Sequence, residues 1–153
     1  MLYAASEPSD PRYMPSVGNG FIATVLGSNS SYLSGVFNSA ACGTYRARLP
    51  ASSLLRVQGA MQYASALDLR SGTFYRRMRA ASTPGLELEY AAYGHADAAL
   101  RGLLVVTLTL DCASCSQAAN ITVESNDGGP TTDFAMHAVP APPGLQVTVG
   151  STT

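Results

Sequence analysis

Apolar and polar residues alternate with a period of two along much of this chain, the pattern of strands that bury one face of a sheet. Phe21-Ile22-Ala23-Thr24-Val25-Leu26 follows the turn residues Gly18-Asn19-Gly20 and reads as a buried strand that ends at Gly27-Ser28-Asn29-Ser30. Tyr32, Ser34 and Val36 then oppose Leu33, Gly35 and Phe37, which predicts a hairpin partner. Met61, Tyr63, Ser65, Leu67 and Leu69 alternate with Gln62, Ala64, Ala66, Asp68 and Arg70. After Ser71-Gly72 the alternation resumes from Thr73 to Arg79, so a strand, a turn and a strand are expected. Leu86-Glu87-Leu88-Glu89-Tyr90 places both carboxylates on one face and the leucines with Tyr90 on the other.

The remaining segments are less regular. Residues up to Pro15 are rich in Pro, Ser and Asp and read as a surface lead-in, neither helix nor ladder strand. Asn38 to Pro50 is polar and irregular, and Leu54-Leu55-Arg56-Val57 is a short strand at best. Leu103 to Leu110 is the most β-rich run and reads as a central strand. Asn120 to Glu124 predicts another strand before the turn Asp127-Gly128-Gly129-Pro130. Pro140-Ala141-Pro142-Pro143-Gly144 favours extended backbone ahead of a last strand, Leu145 to Val149. No long amphipathic helix is visible. Many short strands at intervals of about 8–12 residues predict an all-β, antiparallel β-sandwich or barrel. The expected division is a lead-in over 1–15 and a single sandwich domain over 16–153.

Composition narrows the functions available. A chain of 153 residues suffices for one domain with a sizeable core, but charged residues make up only 12%, about half the usual share. All nine basic residues are Arg and the net charge is -1, so the short cluster Arg76, Arg77 and Arg79 gives no nucleic-acid footprint. Three cysteines leave at least one unpaired, and Cys112-Ala-Ser-Cys115 lacks both the further ligands of a zinc site and the βαβ context of a thioredoxin motif. It reads as two thiols at a strand end or turn. No run approaches the roughly 20 apolar residues of a membrane span, and Met1 to Ala5 has no signal-peptide character. A cytoplasmic location is therefore expected, and the sequons at Asn29 and Asn120 read as chance matches.

Few residues suggest chemistry. Glu87 and Glu89 resemble the carboxylate pair of a glycosidase and would stand about 7 Å apart along one strand, yet any exposed strand with two acids produces that spacing. His95 and His137 have no metal-like partner nearby and read as ordinary histidines. No G-x-S-x-G elbow supports a serine triad, and Gly18-Asn19-Gly20 lacks phosphate-loop spacing. No catalytic, metal or cofactor residue is assigned. Asn38, Arg46 and Arg48 are the candidates for binding, because an amide and two guanidiniums in one segment suit sugar hydroxyls or a partner's carboxylates. Surface salt bridges are their ordinary alternative role.

Pro8-Ser9-Asp10-Pro11-Arg12, Val17 to Thr24, Tyr32 to Asn38, Tyr45 to Pro50 and Leu67 to Phe74 occur in the order and spacing of one enzyme group. Together they resemble the amino-terminal part of the family 65 glycoside hydrolases. The resemblance extends to Pro140-Ala141-Pro142-Pro143 and is weaker between Leu86 and Gly129. It implies a β-sandwich domain that precedes a helical linker and an (α/α)6 barrel, and an inverting α-glucosidase whose general acid lies in that barrel. Removal of glucose from glucosylgalactosyl-hydroxylysine of collagen is the implied reaction. The barrel is missing here, so this chain inherits no catalytic residue and alone is expected to be inactive. The implied partners are the barrel, with Asn38, Arg46 and Arg48 at the interface or substrate rim, a glucoside or glycan, and a second copy in a homodimer. Asn38-Ser39 replaces the family's Asn-Gly and the middle segment is compressed, which suggests an incomplete sandwich with exposed edges. Two other readings stay open. A carbohydrate-binding module would use Tyr32, Tyr63, Tyr75, Tyr90 and Tyr93, without any Trp, and an interaction sandwich would show a large exposed apolar patch.

Overall fold

The structure, a computed structural model, describes residues 1–38, 45–51, 54–113, 115, 121–126, 128–144 and 147–151. The described strands are β1 (Leu2–Ala4), β2 (Ser16–Gly18), β3 (Ile22–Val25), β4 (Ser30–Asn38), β5 (Tyr45–Pro50), β6 (Leu54–Val57) and β7 (Ala60–Asp68). They continue with β8 (Thr73–Ala80), β9 (Glu87–Gly94), β10 (Leu104–Asp111), β11 (Val123–Asn126), β12 (Ala135–Val139) and β13 (Val147–Ser151). Helical structure among the described residues is confined to 3-10 turns at Pro11–Tyr13 and Ala98–Leu100. The expected all-β, sandwich-like architecture is what the chain adopts. One sheet runs β1-β7-β8-β9-β10 and a second runs β2-β3-β4-β5, while β6 pairs with β11 and β12 with β13. Every pairing among the described strands is antiparallel.

The core follows from the two-residue period. Phe74, Met78, Leu88, Tyr90 and Ala92 alternate inward on β8 and β9, and Phe74↔Ala92, Arg76↔Tyr90 and Met78↔Leu88 stand directly opposite one another. Val17 of β2 and Leu26 join this cluster, which links the two main sheets. Full burial of a side chain such as Leu88 contributes roughly 1.5–3 kcal/mol. On the second sheet the inward row Val17, Thr24, Ser31 and Leu49 includes two buried hydroxyl residues. Thr24 Oγ1 donates to the Ser30 carbonyl at 2.9 Å, so its polar atom is satisfied inside the layer.

One inward position carries a full charge. Arg76 projects from β8 with its guanidinium 5.7 Å from the Phe74 ring centre and 5.2 Å from that of Tyr90. Its Nε donates to Glu7, so the lead-in is drawn down onto the core by an ion pair shielded between two rings.

Asn19 ties the sheets together at one end. Its Oδ1 accepts from the Phe21 and Ile22 N–H groups, both at 3.0 Å, which shapes the β2–β3 turn. Its Nδ2 donates to the carbonyls of His95 and Arg101, both at 2.8 Å, in the β9–β10 connection. Gly94 permits the close approach of the two segments, because a Cβ there would lie 2.8 Å from the Asn19 backbone nitrogen.

Several expectations need correction. Leu2–Ala4, within the expected lead-in, is an edge strand paired with β7. Tyr45–Pro50 is the strand β5 and not an irregular stretch, with Ala47 buried. Leu104–Asp111 lies at the edge of its sheet and not at its centre, and Leu110 is 47% exposed. Met61 was expected inward with Ser65, yet it is 65% exposed. A register shift between Gln62 and Ala64 inserts Tyr63 as an extra residue and reverses which side chains face in. Asn120 and Cys42 lie outside the described residues, and the strand expected at Asn120 to Glu124 is observed as β11, Val123–Asn126. Cys112 and Cys115, expected as thiols, form a disulfide, since the turn after β10 brings their Cα atoms to 5.3 Å.

Candidate functional site

Arg46 and Arg48 of β5 come together with Tyr32 of β4 and Tyr45 around a shallow depression of about 310 Å³. Strand pairing explains the grouping. Tyr32 stands opposite Arg48, and Phe37 opposite Arg46, across a register shift between Tyr32 and Phe37. Asn38, the third sequence candidate, pairs with Tyr45 in the ladder, while its side chain lies outside the described residues.

Asp133 holds this corner in place. Its side chain is fully buried, whereas that of Arg48 is 47% exposed. The Tyr45 hydroxyl donates to Asp133 Oδ1 at 2.9 Å, and the Arg48 backbone N–H and Nε donate to Oδ2 at 2.8 and 3.1 Å. Thr131 Oγ1 donates to the Arg48 carbonyl at 2.7 Å and accepts from the Asp133 N–H at 3.1 Å. Hydrogen bonding to Asp133, reinforced by its charge, keeps the Arg48 guanidinium above the ordinary arginine range. The guanidinium also lies 5.6 Å from the Tyr45 ring centre. Arg48 is thus a fixed cation with one side open to solvent, and Arg46 beside it is exposed. The pair suits a carboxylate or a cluster of hydroxyls on a neighbouring surface.

Asp133 was not a sequence candidate. It lies 85 residues from Arg48 in a Thr-Thr-Asp run that resembles any polar turn, so only tertiary contact discloses its role.

The carboxylate pair of β9 is arranged differently. Glu87 and Glu89 share the outer face of the five-stranded sheet, where Glu89 accepts from Arg77 at 3.0 Å and Glu87 from Arg79 at 3.4 Å. Tyr63 also donates to Glu87 at 3.2 Å. A glycosidase needs its two carboxyl groups on opposite sides of the scissile bond. Here they stand side by side on one sheet surface, each joined to an arginine. His95 accepts the Asp97 N–H at Nδ1 in the β9–β10 connection, and His137 is exposed on β12. Among the described residues no three His, Cys, Asp or Glu side chains cluster as metal ligands. No described helix is long and apolar enough to cross a membrane.

A wider cleft of about 580 Å³ opens between the layers, where Ile22, Leu49, Leu55, Leu104, Val106 and Met136 leave apolar surface accessible.

The chain is 29% identical over 106 residues to the protein-glucosylgalactosylhydroxylysine glucosidase of Dictyostelium discoideum. The shared stretch covers 64% of this chain and 15% of the relative, so the chain is similar to a small part of a much longer glucosidase. No protein-family model matches the chain. No solved structure matches it either.

Proposed function

We propose that this chain is the non-catalytic, amino-terminal-type β-sandwich of a family 65 glycoside hydrolase, and that it supports a separate catalytic barrel acting on an α-glucosidic bond. The observation that carries the reading is the similarity to a glucosidase over 64% of a chain whose fold is all-β. Its role is to present the fixed cation Arg48, with Arg46 beside it, to the catalytic part of the enzyme. In the parent enzyme the substrate is glucosylgalactosyl-hydroxylysine, the disaccharide-bearing hydroxylysine that the relative's name states.

The test is glucose release from glucosylgalactosyl-hydroxylysine by the purified chain, compared with substrate alone. No release above the substrate control is expected. Release that disappears in Glu87→Gln or Glu89→Gln would show that the β9 carboxylates perform the hydrolysis and would overturn the scaffold assignment.

A further inference from the structure

The outer face of the five-stranded sheet carries a second feature, remote from the Arg46 and Arg48 corner. Tyr3 of β1 and Tyr75 of β8 both stand directly opposite Ala66 of β7, one from each side. Their Cα positions are therefore two strand spacings apart, about 9.5 Å, with an alanine between them. Ala64 and Ala66 form a floor of small side chains, and Arg77 and Glu89 close one end of the resulting slot, which measures about 400 Å³.

Each part of the slot has a chemical consequence. Two aromatic side chains on either side of a low floor can flank a saturated ring through its apolar C–H faces, each such contact taking up about 3.5–4.0 Å. Arg77 donates to Glu89 at 3.0 Å while both remain partly exposed, so the end wall offers donors and acceptors side by side with no net charge. Hydrogen bonding to Glu89, reinforced by its charge, holds the Arg77 guanidinium above the ordinary arginine range. A phosphate or carboxylate ligand would have to compete with Glu89 for the cation. A neutral ring with adjacent hydroxyls can bridge the pair without separating it. The volume falls in the range of small-molecule sites.

From this geometry we infer that the slot between Tyr3 and Tyr75 binds a neutral hexopyranoside, with the ring's C–H faces against the tyrosines and adjacent hydroxyls on Arg77 and Glu89. This binding is independent of the scaffold reading, since it requires neither a barrel nor hydrolysis.

The experiment is saturation-transfer NMR on the full chain with three probes: methyl α-D-glucopyranoside, methyl β-D-galactopyranoside and the acyclic polyol D-sorbitol. Transfer to the C–H protons of at least one pyranoside is expected, with a dissociation constant on the order of millimolar, and none to sorbitol. Tyr3 is 77% exposed, so Tyr3→Ala leaves the fold intact and weakens binding by about tenfold. Tyr13→Ala, at an exposed tyrosine that does not line the slot, leaves binding unchanged. Inorganic phosphate should not displace the sugar. No transfer to either pyranoside, equal transfer to sorbitol, equal binding by Tyr3→Ala, or displacement by phosphate would each overturn the assignment. All four outcomes leave the hydrolysis test of the scaffold reading untouched.

Discussion

Replacement of Asn19 tests how the two sheets are joined. Asn19→Ala removes two bonds that shape the β2–β3 turn and two that reach the carbonyls of His95 and Arg101. A net contribution of about 0.5–1.5 kcal/mol per bond, taken toward its lower end because the site is partly exposed, gives a loss of about 2–3 kcal/mol. For a chain of this size that lowers the thermal midpoint by about 6–9 °C. Asn19→Asp separates the two halves of the network. An oxygen can still accept from Phe21 and Ile22, but the second oxygen replaces a donor that lies 2.8 Å from each of two carbonyl oxygens. At pH 7 this substitution should destabilise at least as much as Asn19→Ala. The repulsion raises the pKa of the introduced carboxyl in the folded state, so stability is retained below the unfolded value and lost as the pH rises through the folded one. Acidification toward pH 4 should therefore narrow the gap between Asn19→Asp and the native chain. Thermal and urea unfolding measured by circular dichroism across that pH range provide the assay. An Asn19→Asp variant within about 0.5 kcal/mol of the native chain at pH 7, with no pH dependence of the difference, would refute the account.

Two further outcomes follow from buried polar atoms. Gln62 Nε2 is buried without a hydrogen-bond partner among the described residues, and Gln62 pairs with Met78 on the inward face. Gln62→Leu should raise stability by about 1–2 kcal/mol in urea unfolding, and a loss of stability would show that the amide is satisfied in solution. Burial holds the Tyr90 phenol above its ordinary range, with Arg76 opposing the shift and Glu7 adding to it. Because the unfolded phenol ionises first, near pH 10, the native state retains the extra proton and stability falls as the pH rises above that value. Tyr90→Phe should flatten this alkaline decline, and an unchanged slope between pH 9 and 11 would assign the decline to other groups.

The central meander was legible because β8 and β9 each bury one face, so Phe74, Met78, Leu88 and Tyr90 announce themselves by alternation. The reading failed where one residue alters parity, as at Tyr63, since an inserted residue has no compositional mark. It failed at β5 because Arg46, Arg48 and Pro50 make a strand look like a loop, although Ala47 between the arginines is buried. It misplaced β10 because Val105, Val106 and Leu108 resemble a central strand, and strand order is a property of pairing and not of residue type. At the candidate site the arginines were recognisable as residue types, whereas the carboxylate that fixes Arg48 was not. The tyrosine slot was half visible. Tyr75 stood out in the sequence, but its counterpart Tyr3 belongs to a strand that was read as a lead-in.

The contacts of Asp133 also bear on the order in which the chain folds. Strands β7 to β10 are neighbours in sequence and in space, so their pairing closes only short loops and can form early. The Tyr45 and Arg48 bonds to Asp133 span 88 and 85 residues, and they can form only after β5 and the distant segment have each reached their places. Their stabilisation therefore falls on the native side of the folding barrier. Asp133→Asn should accelerate unfolding while leaving the refolding limb of a chevron nearly unchanged, and a slowed refolding limb would place this corner in the nucleus. On this account Asp133 sets how long the assembled corner persists, while the meander sets how quickly the chain finds its fold.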